Sequence, residues 1–444
     1  MIHSARASLL CQPAGPILIP FWESLKILVN GKSSIRNLAL TETRFPLNPY
    51  RWVILALVWL PYAAFGLISR SIAPLVTPIV SDLRMSYAEM GLVLGSWQLT
   101  YIIVGIAAGT VTDRLGVRRA VFIGALIMGL SVMLRFFVTG FVPLLLTVAL
   151  FGAGAPLVTI GAPTAISQWF SGRSRGTAVG IYTTSPSVGG LLALAGTNSL
   201  VMPLAGFSWR LTFVYFGAVT LAIAVIWLIW ARDAEKPGTG NRASVVQMFV
   251  RLIKVPRIRA FFIGGLLTFA TSHGMTNWLP KLFESHGVDP TESGLLASIP
   301  MFAGIFSVLF IPALTPSRFR SRAVAVMATA DVIALTLLVL STGVPMYLGL
   351  VLFGLAAFGI FPIWMLMLMD SPEVGSQSMG IASGVFFAIA EIGGFSGPLL
   401  LGTLYDFTGS FMTGVFSLAA FNLVIIAMAL FIRQPAETAG TVSN

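Results

Sequence analysis

Charge is scarce in this chain: Asp, Glu, Lys and Arg make up 10% of its 444 residues, where a soluble domain carries about 25%. A surface so poor in charge is not built for water. Cysteine is scarcer still. The lone Cys11 excludes an internal disulfide framework and a cysteine metal cluster. Three histidines, with no HExxH or CxxC spacing, give no pattern for a protein-bound metal. No GxxxxGK[ST] segment is present, so nothing points to ATP hydrolysis by this chain. Neither a cofactor motif nor a clustered catalytic constellation stands out, and the expectation is a protein that is not an enzyme and carries no cofactor.

What the sequence has is long apolar runs. Hydrophobic residues account for 56% of it, and stretches of 18 or more recur from Arg51 to Arg433. A helix needs roughly 20 apolar residues to cross a bilayer core of about 30 Å. Glycine (44) and proline (25) are frequent inside these stretches, as membrane helices tolerate. The runs predict twelve spans, near 52–82, 87–112, 118–138, 141–170, 176–205, 210–231, 258–285, 292–314, 322–342, 346–369, 379–405 and 409–432. The expected fold is therefore an all-α membrane protein, with most neighbouring helices antiparallel because their connections are short.

The net charge of +11 is explained by its placement. With a cytoplasmic N-terminus, the inner loops and C-terminal end hold 16 Lys and Arg against three outside (Arg84, Arg210 and Lys281), before six more at 1–51 are added. The positive-inside rule then predicts a multi-pass protein of the cell membrane with both ends cytoplasmic, and nucleic-acid binding becomes unnecessary. The expected organisation is a cytoplasmic tail (1–50), a six-helix bundle (51–231), a polar cytoplasmic linker (232–257), a second six-helix bundle (258–433) and a short cytoplasmic tail (434–444). Residues 1–50 lack the layout of a signal peptide. An amphipathic segment around Ile17–Val29 suits a membrane surface, and a plain tail reads equally well.

The halves repeat. Gly176, Ala178, Gly180, Gly189 and Gly190 reappear as Gly380, Ala382, Gly384, Gly393 and Gly394 at one offset of 204 residues. Glu89, Gly91 and Leu92 reappear as Glu292, Gly294 and Leu295 at an offset of 203. Duplicated halves are a transporter signature, and pseudo-two-fold symmetry is expected.

Between the second and third spans stand Gly109, Asp113, Arg114, Gly116, Arg118 and Arg119. The glycines permit a tight reversal, and Asp113 can accept hydrogen bonds from arginines or a helix N-terminus. This loop resembles the G-x-x-x-D-R-x-G-x-R-R hallmark of the major facilitator superfamily. The resemblance covers about 51–433 and implies two six-helix bundles working by alternating access, with this loop as a cytoplasmic latch between the halves. The matching stretch of the second half, Thr315–Arg322, keeps the positive charge but lacks the Asp and both glycines. A narrower resemblance to cyanate-permease-like porters rests on Asn277-Trp278-Leu279-Pro280-Lys281, Arg70, Leu134-Arg135, Trp169-Phe170 and Gly180–Thr184.

Intramembrane charge is costly, so each such residue is a candidate for function. Arg70 falls about 18 residues into the first span, where a guanidinium suits bidentate capture of a small anion; it can also snorkel or close an ion pair. Glu391, in the eleventh span, suits reversible protonation because burial disfavours a charged carboxyl group. It can equally neutralise Arg70. His273 in the seventh span can bind solute or titrate, or be a satisfied interhelical polar group. Asn277, four residues on, shares its helical face. Arg135 and Asp331 read as structural. Trp97, Gln98, Thr159, Thr164, Tyr182, Thr184 and Trp364 fill out the expected cavity, with Trp97 or Trp364 as a stacking face for a planar solute. Ser185–Gly190 departs from the antiporter motif G-P-x-x-G-G and reads as a kink with close helix packing.

The leading expectation is a monomeric secondary transporter among membrane lipids. It moves a small anionic or polar organic solute, with Glu391 or His273 as the residue for proton coupling. The alternative is proton-driven efflux of hydrophobic or cationic drugs. That reading calls for acids in the first-half cavity, where the sequence shows only Arg70 as an obvious charge.

Overall fold

The computed structural model describes residues 49–233, 245–374 and 379–431, and all of its regular structure is helical. In chain order the helices are α1 (Tyr50–Arg70), α2 (Val76–Leu83), α3 (Tyr87–Leu115), α4 (Val117–Leu134) and α5 (Phe141–Trp169). Next come α6 (Gly172–Thr183), α7 (Ser185–Gly196), α8 (Trp209–Trp230), α9 (Val245–Ile253) and α10 (Pro256–Ser285). The last are α11 (Pro290–Leu314), α12 (Arg320–Leu340), α13 (Val344–Met369), α14 (Met379–Thr408) and α15 (Phe411–Phe431). Residues 1–48, 234–244, 375–378 and 432–444 lie outside the described set, and with them Ile17–Val29, much of the polar linker and the C-terminal tail.

Among the described residues, eleven helical segments are long and apolar enough to cross a membrane. α10 is not one of them, although its 30 residues are ample in length. Its middle carries Thr268, Thr271, Ser272, His273, Thr276 and Asn277, all within three turns. A polar stripe of that kind belongs on a helix that faces other protein or an aqueous path.

Two of the expected spans are broken, each for a local reason. The first was expected to run unbroken through 52–82; instead α1 ends at Arg70, and a 3₁₀ turn at Ala73–Leu75 leads into α2. Pro74 has no N–H to continue an α-helix. Arg70 thus occupies the C-terminal turn of α1, where the helix dipole favours a cation. The fifth span is divided into α6 and α7 at Thr184, just before Pro186, as the kink reading of that segment expects.

Close approach of glycines sets the packing. A Cβ at Gly189 of α7 would overlap the Ala63 carbonyl oxygen of α1, and one at Gly393 of α14 would overlap the Leu266 carbonyl oxygen of α10. Likewise Gly152 presses on the Trp97 carbonyl and Gly354 on the Pro300 carbonyl. In each case both contact partners are displaced along the chain by 202 to 204 residues. The repeat seen in the sequence is therefore a repeat of backbone contacts. With lipid outside, helices gain little from apolar burial against each other, and small residues that admit backbone-to-backbone packing supply the attraction.

α3 and α14 meet at one end and part at the other. Gly91, Gly95, Gln98 and Gly105 lie on one face of α3 by their spacing of three, four and seven residues. Cβ atoms at Gly91 and Gly95 would lie 2.6 Å from the Pro398 oxygen and 2.7 Å from the Phe395 oxygen of α14, whereas nothing lies within 4 Å at Gly105. On α14 the sequence is the same: Gly402 and Gly394 are crowded, and Gly384 faces open space. The helices close at the end bearing Ser86 and Asp406, termed the far end. They diverge into a cleft toward the end bearing Gly116 and Asp233, termed the linker end.

The far end is sealed by hydrogen bonds as well. The Asp406 carboxylate of α14 accepts from the backbone N–H groups of Tyr87 (3.0 Å) and Ala88 (2.7 Å), capping the first turn of α3. That turn also carries its own capping box, Ser86 with Glu89. Asn198 Nδ2 donates to the carbonyls of Pro74 (3.1 Å) and Pro290 (3.0 Å). Lys281 Nζ donates to Thr77 Oγ1 at 2.8 Å, and Thr77 also bonds Glu284.

Loss of a capping carboxylate costs about 0.5–2 kcal/mol, and 1.4 kcal/mol is a tenfold shift in a two-state equilibrium. Asp406→Ala is therefore expected to open the far end more often. In protein carrying Cys11→Ser and Met301→Cys, a membrane-impermeant maleimide applied from the far face should label Cys-substituted position 301 roughly twofold to thirtyfold faster once Asp406→Ala is added. An unchanged labelling rate would show that the cap does not hold the far end shut.

Candidate functional site

The cleft narrows to an apex built by α1, α3, α7, α10 and α14. Arg70 reaches it from the last turn of α1, with its Cγ 3.2 Å from a Cβ placed on Gly190. A Cβ on Gly394 would lie 2.9 Å from Glu391 Oε2, 3.3 Å from His273 Nδ1 and 3.4 Å from Gln98 Nε2. Glycine at 190 and 394 is what leaves room for these side chains. The two glycines are a repeat pair, and so are their neighbours, since Arg70 and His273 stand 203 residues apart, as do Gln98 and Met301. Equivalent positions thus hold a fixed cation in the first half and an imidazole in the second.

The polar bonds at the apex are few. Gln98 Nε2 donates to the Gly394 carbonyl at 3.2 Å and lies 3.0 Å from His273 Nδ1. That pairing requires Nδ1 to accept, which leaves the His273 proton on Nε2. Asn277 Nδ2 returns to the His273 carbonyl of its own helix at 2.8 Å. Gln98 Oε1 and Glu391 Oε2 are buried and have no hydrogen-bond partner.

Arg70 is 9% exposed and Glu391 3%, and the two charges lie within electrostatic reach of each other. Among the described residues Arg70 makes neither a hydrogen bond nor an ion pair within 4.0 Å, so the close Arg70–Glu391 pair raised by the sequence is not formed here. A buried guanidinium without a partner is costly. It is complete only when something supplies acceptors.

Aromatic rings wall the apex. Trp97 packs edge-on against Phe65 (5.7 Å), Tyr101 (6.0 Å) and Phe151 (5.6 Å), and Tyr62 stacks on Tyr182 at 6.1 Å. Tyr101 Oη pairs with Thr159 Oγ1 at 2.8 Å. The structure therefore brings together Arg70, Trp97, Gln98, His273 and Glu391, with Tyr182 beside them and Asn277 one turn of α10 further on.

Trp364 belongs elsewhere. Expected as a cavity face, it is fully buried in a core with Phe261, Phe386 and Ile360, against the backbone of Gly264. A missing Cβ on α10 makes the slot that its indole fills. Thr164 bonds its own helix at Ile160, and Thr184 receives Trp59 Nε1 at 3.4 Å. Arg135 lies over the Phe213 ring at 4.9 Å, and Asp331 is buried beside Asn422, whose Nδ2 lies 3.5 Å from Thr271 Oγ1 of α10.

At the linker end, Gly116 adopts φ +82° at the tight reversal, and the Arg118 backbone N–H donates to Asp233. The Arg118 guanidinium donates to the Leu228 carbonyl at 3.0 and 2.6 Å, and Trp227 Nε1 to the Arg118 carbonyl. These bonds tie the loop to the end of α8, in its own half. A latch between the halves is not what Arg118 forms in this conformation, because the linker end is the open one. Arg114, Arg119 and Asp113 are exposed there.

Sequence reading missed Tyr62, Phe65, Tyr101, Phe269 and Phe387 as walls of the cleft. Their one signal is spacing: Tyr62 and Phe65, Trp97 and Tyr101, and Phe269 and His273 pair at three or four residues. Among the described residues no three of His, Cys, Asp and Glu converge as metal ligands. The recess lined by Trp52, Leu55, Ala56, Trp59, Leu60 and Ile181, about 340 Å³, is apolar and holds none of the apex charges.

Replacing Gln98 with Ala removes both bonds that join α3 to α10 and α14 at the apex. The expected cost is about 1–2 kcal/mol, read as a lower melting temperature in detergent. An unshifted melting curve would show that those bonds add nothing to the join.

Comparisons with known proteins give the following. Residues 58–398 match the profile of the Major Facilitator Superfamily. A hexuronate transporter of Bacillus subtilis (strain 168) is 24% identical over 402 residues, covering 84% of this chain and 93% of that protein. A putative tartrate transporter of Agrobacterium vitis is 23% identical over 394 residues, covering 81% and 84%. Among solved structures, a bacterial homologue of the human lysosomal transporter Spinster, inward-facing and unoccupied, superposes with a TM-score of 0.72 at 18% identity, covering 88% of this chain and all of that one.

Proposed function

The chain belongs to the Major Facilitator Superfamily, and we propose that it is a secondary transporter that carries a small organic anion across the cell membrane by alternating access. One observation carries this reading: Arg70, a permanent cation, sits at the apex of a cleft without an ion-pair partner among the described residues. A carboxylate entering the cleft would supply the acceptors that the guanidinium lacks, bidentately and in a low dielectric. The substrates in the names of the related hexuronate and tartrate transporters are organic acids, which supports the same class.

In this reading α10 is the twelfth span, made polar by its place on the path, and the chain is two six-helix halves (51–231 and 258–433) joined through 232–257. The excess of Lys and Arg at the linker end supports a cytoplasmic position for that end and for both termini. The structure is then the inward-open state, with the far end shut by Asp406, Asn198 and Lys281. In the outward-open state the linker end closes, and the loop Gly109–Arg119 acts there as a latch.

The chain's energy source is a gradient. Glu391, whose Oε2 has no partner, is the group proposed to take up and release a proton as Arg70 loses and regains its anion. His273 is the second proton-binding candidate, held in one tautomer by Gln98. The residues proposed to contact the solute are Arg70, Trp97, Gln98, Tyr182 and His273, with Asn277 at their margin. Drug efflux, with its need for acids opposite a cationic cargo, fits an apex led by Arg70 poorly.

Counterflow in proteoliposomes tests both parts. Arg70→Gln is expected to lower counterflow of labelled small carboxylates at least tenfold. Glu391→Gln is expected to keep counterflow within a few-fold of wild type while losing accumulation driven by a pH gradient. Equal counterflow in wild type and Arg70→Gln removes the anion site. Undiminished pH-driven accumulation in Glu391→Gln removes the coupling role.

A further inference from the structure

The rings around the apex join into a closed circuit. Trp97 and Tyr101 of α3 lie 6.0 Å apart, and Tyr101 meets Phe387 of α14 at 6.3 Å. Phe387 meets Phe269 of α10 at 5.6 Å, Phe269 stacks on His273 at 5.0 Å, and His273 returns to Trp97 at 6.2 Å. The circuit spans both halves of the sequence. Tyr101, Phe269, His273 and Phe387 are only half-buried, whereas Phe386 and Trp364 in the neighbouring core have no exposure at all. The collar therefore faces the cleft, next to the apex where Glu391, His273 and Gln98 converge on Gly394.

Hydrogen-bonding atoms in this wall are sparse. Tyr101 Oη is engaged by Thr159, Gln98 Nε2 by Gly394 and His273, and Asn277 Nδ2 by its own helix. Among the described residues, a solute at the apex meets one guanidinium, the His273 Nε2 proton, the Tyr62 and Tyr182 hydroxyls, the acceptor oxygens of Gln98 and Glu391, and otherwise ring faces and edges. Each hydroxyl of a polyhydroxylated acid that finds no partner there weakens binding by roughly fivefold or more. A flat ring in the same place gains offset-stacked and edge-to-face contacts.

We propose that the preferred solute is a planar aromatic monocarboxylate, its carboxylate on Arg70 and its ring inside the collar of Trp97, Tyr101, Phe269, His273 and Phe387. This rests on the reading of the chain as an organic-anion carrier and narrows the substrate class. A saturated, hydroxyl-rich acid is the poorer match, because most of the collar is ring surface and its few free polar atoms cannot pair every hydroxyl.

Isothermal titration of the purified full-length protein with benzoate, nicotinate, glucuronate and tartrate tests the proposal. Benzoate or nicotinate is expected to bind at least tenfold more tightly than either hydroxylated acid, and Arg70→Gln to abolish that binding. Phe387→Leu, which keeps an apolar side chain, should weaken the planar acids by roughly threefold to tenfold and change the hydroxylated ones less than twofold. If Phe387→Leu does not give a monodisperse protein, Phe269→Leu carries the same expectation. Tighter binding of glucuronate or tartrate, lost in Arg70→Gln, would overturn the planar class and leave the anion carrier standing. Equal affinity of wild type and the leucine variants for benzoate and nicotinate would overturn the collar. Binding of none of the four acids would overturn both readings.

Discussion

The whole arrangement depends on backbone meeting backbone where side chains are missing. Gly189 on Ala63, Gly393 on Leu266, and Gly91 and Gly95 on α14 hold helices closer than any residue with a Cβ would allow. In a bilayer this is the main attraction open to apolar helices, since lipid tails satisfy leucine as well as another leucine does. The same contacts define where packing stops. Below Gln98 the faces of α3 and α14 continue with Gly105 and Gly384, but no partner follows them. A cleft with a fixed apex results from the position of the last contact.

That apex is where the polar residues are placed, and their inequality gives the site its chemistry. The two halves repeat their glycines but not their charges: Arg70 holds in the first half the position that His273 holds in the second, and Ser187 stands where Glu391 stands. A symmetric scaffold therefore encloses one fixed cation, one carboxyl group and one imidazole. Buried charge is stable only when compensated. Arg70 and Glu391 are near enough to feel each other and too far for an ion pair. In the proposed cycle, solute and proton each complete a partner in turn, which would link the site's occupancy to the state of the cleft.

Much of this was legible in the sequence, and the reason differs by residue. Gly189-Gly190 and Gly393-Gly394 announced the repeat because packing leaves little choice at such positions. Arg70 and Glu391 stood out because charge inside an apolar run is expensive. His273 and Asn277 of α10 were visible too, and the apolar run there was read as a span, although the polar residues around them leave the helix below the apolarity of the other eleven. The collar was not legible, since Phe, Tyr and Trp are also ordinary membrane-core residues and helical phase relative to a cleft is set by packing. Trp364 fell on the wrong side for that reason, its slot being created by Gly264 on another helix. The break after Arg70 follows from Pro74, yet an apolar run gives no sign of it. The Gly109–Arg119 loop was recognisable as a motif, but the bonds of Arg118 to Leu228 and Asp233 were not, because a motif does not name its contacts.

Alternating access around the Arg70 apex is the central claim, and its most direct test is the width of the linker-end mouth. Spin labels at Gly105→Cys and Gly384→Cys, in protein carrying Cys11→Ser, report the separation of α3 and α14 there by double electron–electron resonance. The account predicts a long distance in the free protein and a second, shorter population on adding a small carboxylate, absent when Arg70→Gln is also present. A single distance that no carboxylate shifts, or a shift that persists in Arg70→Gln, would contradict it.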